Sequence, residues 1–158
     1  MAVDARTFVK EPGIKLAMGL HRGHRALLAH AEAFGAAQGL EVIHLSILHS
    51  LGLGGPKNMG QLARSVVMAA ADLTRRAKQL EKRGLVKRER APHSQREVLI
   101  TLTPEGEAMF QRSFTHLHSA HDAWFNARLS RAEQKELGKL LARLELAAPL
   151  KGAGGLQV

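Results

Sequence analysis

Nine histidines in 158 residues, with no cysteine, are the side chains in this sequence best suited to chemistry. They are His21, His24, His30, His44, His49, His93, His116, His118 and His121. An imidazole near neutral pH can carry a proton, hydrogen-bond a ligand or hold a metal ion. His118 and His121 stand three apart, so on a helix they share a face and can share a metal. Glu32, Glu41 and Asp122 are the available carboxylate helpers. The same rings could instead hydrogen-bond an aromatic acid, with Arg22 or Arg25 as counter-charge, or be ordinary surface and core histidines, the commoner fate of any single one. Nothing organises them for catalysis: the chain has no Gly-x-Ser-x-Gly elbow, no His-Glu-x-x-His pair and no paired cysteines. The lack of cysteine also excludes disulfides and thiol-based peroxide sensing.

The second chemical group is basic. The formal net charge is +9, with a pI near 10.7. Between Gln61 and Glu97 ten Lys or Arg stand against four acids, so this segment alone carries +6. A positive field concentrated in one segment is what a phosphate backbone would meet, releasing its counterions.

The elements that must position these charges lie between Asn58 and Gly106. Asn58 and Gln61 have capping-box spacing and open a helix with Met59, Leu62, Ala63 and Val66 on its apolar face. After a bend near Val67 and Met68, a second helix reaches about Arg83 with Leu73, Ala77 and Leu80 inward, and Gly84 ends it. Its other face carries Thr74, Arg75, Lys78 and Lys82. The period then turns to alternation: Val86, Arg88 and Arg90 on one strand, the loop Ala91-Pro92-His93-Ser94-Gln95-Arg96, then Val98, Ile100 and Leu102 on another. Thr103-Pro104-Glu105 supplies a helix cap, a first-turn proline and a first-turn acid. Two short helices, a basic hairpin and a new helix make a winged helix-turn-helix, so the fold class expected is mainly α with a small β-wing.

Around this head, residues 1–12 read as an N-terminal arm. A helix from Ile14 to Ala37 carries Ala17, Leu20, His24, Leu27, Leu28, Ala31 and Phe34, and Gly39 ends it. A second runs from about Glu41 to Leu51, with Ile43, Ile47 and Leu48 inward, and stops at Gly52. The glycine-rich Gly52–Lys57 stretch lacks the Gly-Lys-Ser/Thr ending of a phosphate loop and reads as a connector. From Pro104 a long helix extends to about Asn126 with Phe110, Phe114, Leu117, His121, Trp124 and Phe125 along it. Ser130 with Glu133 caps a last helix whose leucine face is Leu137, Leu140, Leu141 and Leu144. Residues 151–158 read as a mobile tail. The expected organisation is one domain over 13–150, with the winged helix-turn-helix at 58–103 and dimerisation helices at 13–51 and 104–148. These helices hold more apolar face than so small a head can cover, which predicts a homodimer and an inverted-repeat DNA site with half-sites about one helical turn apart. No apolar run is long enough to span a membrane and the N-terminus lacks a signal-like stretch, so the cytoplasm is the expected location.

Leu62-Ala63, Leu73-Thr74, Leu80-Glu81-Lys82-Arg83-Gly84-Leu85-Val86, Arg96 and Leu102-Thr103-Pro104-Glu105-Gly106 together resemble the multiple antibiotic resistance regulator (MarR) family of bacterial repressors. The resemblance implies a dimer binding double-stranded DNA, with one recognition helix per subunit in the major groove and a wing in the minor groove. The DNA-contact set it implies here is Arg64, Ala69, Ala70, Asp72, Thr74, Arg75, Lys78, Arg88, Arg90, His93, Gln95 and Arg96. It further implies a pocket where the first two helices meet the long one, formed by His21, His24, His44, Ile47, Leu48, Phe110 and Phe114 and suited to a small aromatic acid. Zinc-responsive members suggest His44, His118 and His121 as a metal set. Two positions depart from the family: Ser94 stands where the wing usually has an acid, and the recognition helix opens Ala69-Ala70-Ala71. Few side chains at that end can reach base edges, so readout should lean on Asp72, Thr74, Arg75, Lys78 and Arg96 and on DNA shape. The alanine-rich opening also leaves room for a sequence-independent architectural DNA binder.

Overall fold

The computed structural model describes residues 11–66, 70–91 and 94–145. The described elements are α1 (Pro12–Ala37), α2 (Val42–Gly54), α3 (Met59–Val66), α4 (Ala70–Lys82), β1 (Val86–Ala91), β2 (Ser94–Leu102), α5 (Pro104–Asn126) and α6 (Arg131–Glu145). They fall into two compact units, Met1–Ser119 and Ala120–Val158, and α5 passes from one into the other.

The first unit is built on α2. Its sequence is apolar nearly all round, as a helix enclosed by neighbours must be, and it touches α1, α3, α4 and β2. Leu45, Ile47 and Leu48 are fully buried there, and Leu62 of α3, Leu73 and Leu80 of α4 and Ile100 of β2 close over them. The helix was expected to stop at Gly52 but continues to Gly54, and Gly55, at φ +70°, turns the chain instead. A side chain on Gly52 would overlap the Phe110 ring, so the close approach of that ring requires glycine here. Lys57 then donates through Nζ to the Ser50 carbonyl at 2.7 Å, meeting the negative end of α2. Its backbone pairs with Ile100, so the connector docks on the wing.

The local signals that start and stop the reading head hold in the structure. Asn58 Oδ1 accepts from the Gln61 N–H and Gln61 Oε1 from the Asn58 N–H, both at 2.9 Å. Asn58 also donates to Glu97 Oε1 at 2.7 Å, tying this cap to the base of β2. At the end of α4 the Leu85 N–H reaches the Leu80 carbonyl at 3.0 Å and the Gly84 N–H that of Glu81 at 2.9 Å, a paired closure that needs the left-handed φ of +69° at Gly84. β1 and β2 are antiparallel, with Val86 opposite Leu102 and Arg88 opposite Ile100. The expected six-residue loop at 91–96 is shorter, because Ala91 and Ser94 to Arg96 lie in the strands. In the second unit, Ser130 and Glu133 close the box that opens α6.

One close approach pins the wing to α5. Thr103 Oγ1 accepts from the Gly106 N–H at 3.0 Å, capping α5, and the Thr103 N–H donates to the Leu85 carbonyl at 3.2 Å. A side chain on Gly106 would overlap that same carbonyl oxygen. The neighbour is backbone, already held by Thr103, and cannot turn away. Gly106→Ala should lower the unfolding free energy by about 1–3 kcal/mol, the usual cost of overpacking. Urea denaturation would measure it; an unchanged midpoint would mean that α5 can slide off Leu85.

Candidate nucleic-acid interface

α4 presents two different faces. Leu73, Ala77 and Leu80 are at most 1% exposed, which fixes the rotation of the helix about its axis. Asp72, Thr74, Arg75, Lys78, Gln79 and Lys82 are then exposed, and Thr74, Arg75, Lys78, Gln79 and Lys82 line one concavity along the outer side. Arg75 meets Asp72 at 3.6 Å, but both are well exposed, so the pair is weak and yields readily to a phosphate. Arg64 is exposed on α3. Of the remaining expected contacts, Ala69 and His93 lie outside the described residues, and Ala70 is placed at the first turn of α4.

In the wing, Arg90 is exposed opposite Val98. Arg88 turns back to Glu81 of α4 at 3.3 Å, bracing the hairpin against that helix. Lys87 pairs with Glu89, and its hydrogen bond holds the Glu89 carboxyl below the ordinary carboxylate range. The register shifts between Arg90 and Ala91, where Ala91 pairs with Ser94. Gln95 and Arg96 therefore sit on β2 at an irregularity of the kind that bends and twists a ribbon. With Ser94 in place of the usual acid, Glu97 is the carboxylate that anchors this strand, through Asn58.

A recognition helix with a fixed basic face, followed by a braced two-stranded wing, meets a matching family model. The MarR family model covers residues 40–98. A structure described as a "probable transcriptional regulator from Pseudomonas aeruginosa" is 32% identical over 82% of this chain and 96% of that one, with a TM-score of 0.68. The chain belongs to the MarR family. It is a DNA-binding transcriptional regulator of winged-helix fold. The structure of NadR in complex with 4-hydroxyphenylacetate is 26% identical, covers 84% of this chain and 94% of that one, and has a TM-score of 0.72. Wild-type MarR from E. coli, at 19% identity, a TM-score of 0.70 and coverage of 82% and 96%, shares the fold. No curated protein matches the sequence.

The described histidines of this MarR-family chain differ in burial and in partners. His21 and His24 are exposed on α1, and Ile47 and Leu48 are fully enclosed in the core. His44 is 6% exposed and faces α4: its Nδ1 accepts from the Glu41 N–H at 3.1 Å and its Nε2 meets Gln79 Oε1 at 3.0 Å. Both ring nitrogens are thus in use. Among the described residues no group of three His, Cys, Asp or Glu is placed to hold a metal, and of the expected set His44 and His118 lie in the first unit and His121 in the second. Phe110 is buried and Phe114 half-exposed, and the histidine between them is one the expected pocket left out, His49. Its ring centroid lies 5.8 Å from that of Phe110 and 5.7 Å from that of Phe114, and Nε2 is 2.8 Å from Ser113 Oγ. Ser113 gives its proton to the Phe110 carbonyl, so His49 donates to Ser113. His118 continues the row, with its ring centroid 6.5 Å from that of Phe114. The signal was present in the sequence: Phe110, Ser113 and Phe114 share one helical face.

Burial lowers the pKa of His49 from its usual 6.5. As pH falls, the unfolded chain takes the proton before the folded one, so the stability His49 contributes is full above about 6.5 and declines below it. His49→Gln, which keeps a donor for Ser113, should therefore lose less melting temperature than the wild type between about pH 7 and pH 5. Parallel melting curves of the two proteins would show that folding does not lower the pKa of His49.

Proposed function

We propose that this protein is a homodimeric, cytoplasmic, non-enzymatic repressor that binds an inverted-repeat operator and releases it when a small aromatic acid binds. The observation that carries the reading is the outer face of α4, where Thr74, Arg75, Lys78 and Lys82 stand together over a buried Leu73-Ala77-Leu80 stripe. Lys78, Lys82 and Arg75 supply phosphate contacts, Thr74 and Asp72 hydrogen-bond base edges, and Arg96 on the wing enters the minor groove. Dimerisation is supported by apolar side chains left in water by a single chain: Ile14, Leu16, Met18 and Leu20 on α1, and Leu140 and Leu144 on α6. A twofold pair delivers two recognition helices to two half-sites.

The effector reading rests on the face built by His49, Phe110, Phe114 and His118. Phe114 is 37% exposed, so an aromatic ring can stack there, while the N–H of neutral His49 is available to a carboxylate that displaces Ser113. The 4-hydroxyphenylacetate seen in NadR is a molecule of this class. Such a ligand weakens DNA binding by favouring a dimer whose reading heads no longer match the half-site spacing.

Sedimentation at micromolar concentration should give a dimer, and a monomer would remove the basis for the operator. The duplex the protein selects from a random library should bind on the order of a thousandfold more tightly than unselected duplex. A ratio near one would establish the architectural reading instead. Millimolar 4-hydroxyphenylacetate should weaken operator binding in the wild type and much less in Phe114→Ala. Equal weakening in both proteins would move the effector site elsewhere.

A further inference from the structure

The recognition helix and the residue just past its end carry three polar side chains that bond to other parts of the protein. Arg76 pairs with Glu41. Gln79 Oε1 accepts from His44 Nε2 at 3.0 Å. Arg83, just past the helix end, donates through Nη2 to the Gln38 carbonyl at 2.6 Å and through Nη1 to the Gly39 carbonyl. Arg76 and Arg83 reach the corner Gln38–Glu41 where α1 turns into α2, and Gln79 reaches His44 in the first turn of α2, whose ring accepts from the Glu41 N–H. Two side chains of α4 and one just past its end are thereby tied to that corner and to the first turn of α2.

We propose that this clasp sets the pose of the recognition helix for readout, and that Arg76 is its positioning residue rather than a phosphate contact. Four observations support this. Arg76 has only 16% of its side chain exposed, whereas Arg75 beside it has 60%. Its Nε is buried with no hydrogen-bond partner among the described residues, and the guanidinium is held by Glu41 through Nη1. The Glu41 carboxyl, in turn, has a lowered pKa whose main cause is the hydrogen bond from Arg76. The His44 link has a defined direction: the Glu41 N–H can only donate, so Nδ1 accepts it and Nε2 carries the proton given to Gln79. Glu41 therefore joins two of the three ties, through its carboxylate to Arg76 and through its N–H to His44. The buried stripe fixes the rotation of α4, while the clasp fixes its tilt and axial position against the α1–α2 corner. Readout of base edges depends on such placement, because a displaced helix keeps its attraction for phosphates and loses its alignment with the bases.

The test uses the full-length protein, the duplex it selects from a random library, and an unselected duplex, each titrated at several salt concentrations. Arg76→Ala should reduce the preference for selected DNA on the order of tenfold, the scale of one lost base contact, and leave the salt dependence unchanged. Lys78→Ala should instead weaken both duplexes alike and flatten the salt dependence by about 0.9, the value of one phosphate. Glu41→Gln removes an exposed charge with little change of volume, so it tests the clasp should Arg76→Ala fold poorly. It should reproduce the lost preference, and the double variant should be no worse than either single one. The exchanged pair Glu41→Arg with Arg76→Glu should recover the preference. Two results would overturn the proposal. In one, Arg76→Ala lowers the salt slope and weakens both duplexes equally. In the other, Arg76→Ala and Glu41→Gln lower the melting temperature and leave the preference intact.

Discussion

Burial of Leu73, Ala77 and Leu80 against α2 is the constraint from which the arrangement of the reading head follows. Leu73, Ala77 and Leu80 lie four and three residues apart, on one line down the helix, and place it against Leu45, Ile47 and Leu48. Truncating one such leucine costs about 2–5 kcal/mol out of the 5–15 that hold a typical domain together. A recognition helix rolled about its own axis is therefore not an accessible state. The sides available to DNA, to the wing and to the α1–α2 corner are set before any charge is considered.

That fixed rotation gives neighbouring residues of the same type different tasks. Arg75 and Arg76 are adjacent in sequence and about 100° apart around the helix. Arg75 stands outward beside Asp72, and Arg76 goes inward to Glu41. Arg83 binds backbone carbonyls and Arg88 braces the wing against Glu81. A net charge of +6 is concentrated over Gln61–Glu97, yet part of that charge serves the protein's own assembly. Arg88, expected at the DNA surface, belongs partly to this second group.

The histidines divide in a similar way. His44 and His49 are five residues apart on α2, so they point to different sides of it. His44 serves the connection to α4, whereas His49 packs among phenylalanines of α5 beside Ser113. A polar ring in an otherwise apolar contact is retained only if its donor is satisfied, and Ser113, itself fully buried, does this. The result is an imidazole whose pKa burial lowers, next to a half-exposed aromatic side chain.

What the sequence determined by itself was local. The Asn58–Gln61 and Ser130–Glu133 boxes, the Thr103-Pro104-Glu105 start and the Gly84 stop each depend on groups within about three residues, so the amino-acid order suffices to set them. The apolar stripes were equally legible, because the period of a helix assigns their faces. The tertiary structure decided everything that joins distant residues. The lack of room for a side chain at Gly52 comes from a ring 58 positions away at Phe110, and the direction of Arg76 from a carboxylate 35 positions back. His49 found its partner 64 residues downstream. His44 is of the same kind: like residues along a chain become a site only if packing brings their side chains together, and here hydrogen bonds took His44 to the recognition helix.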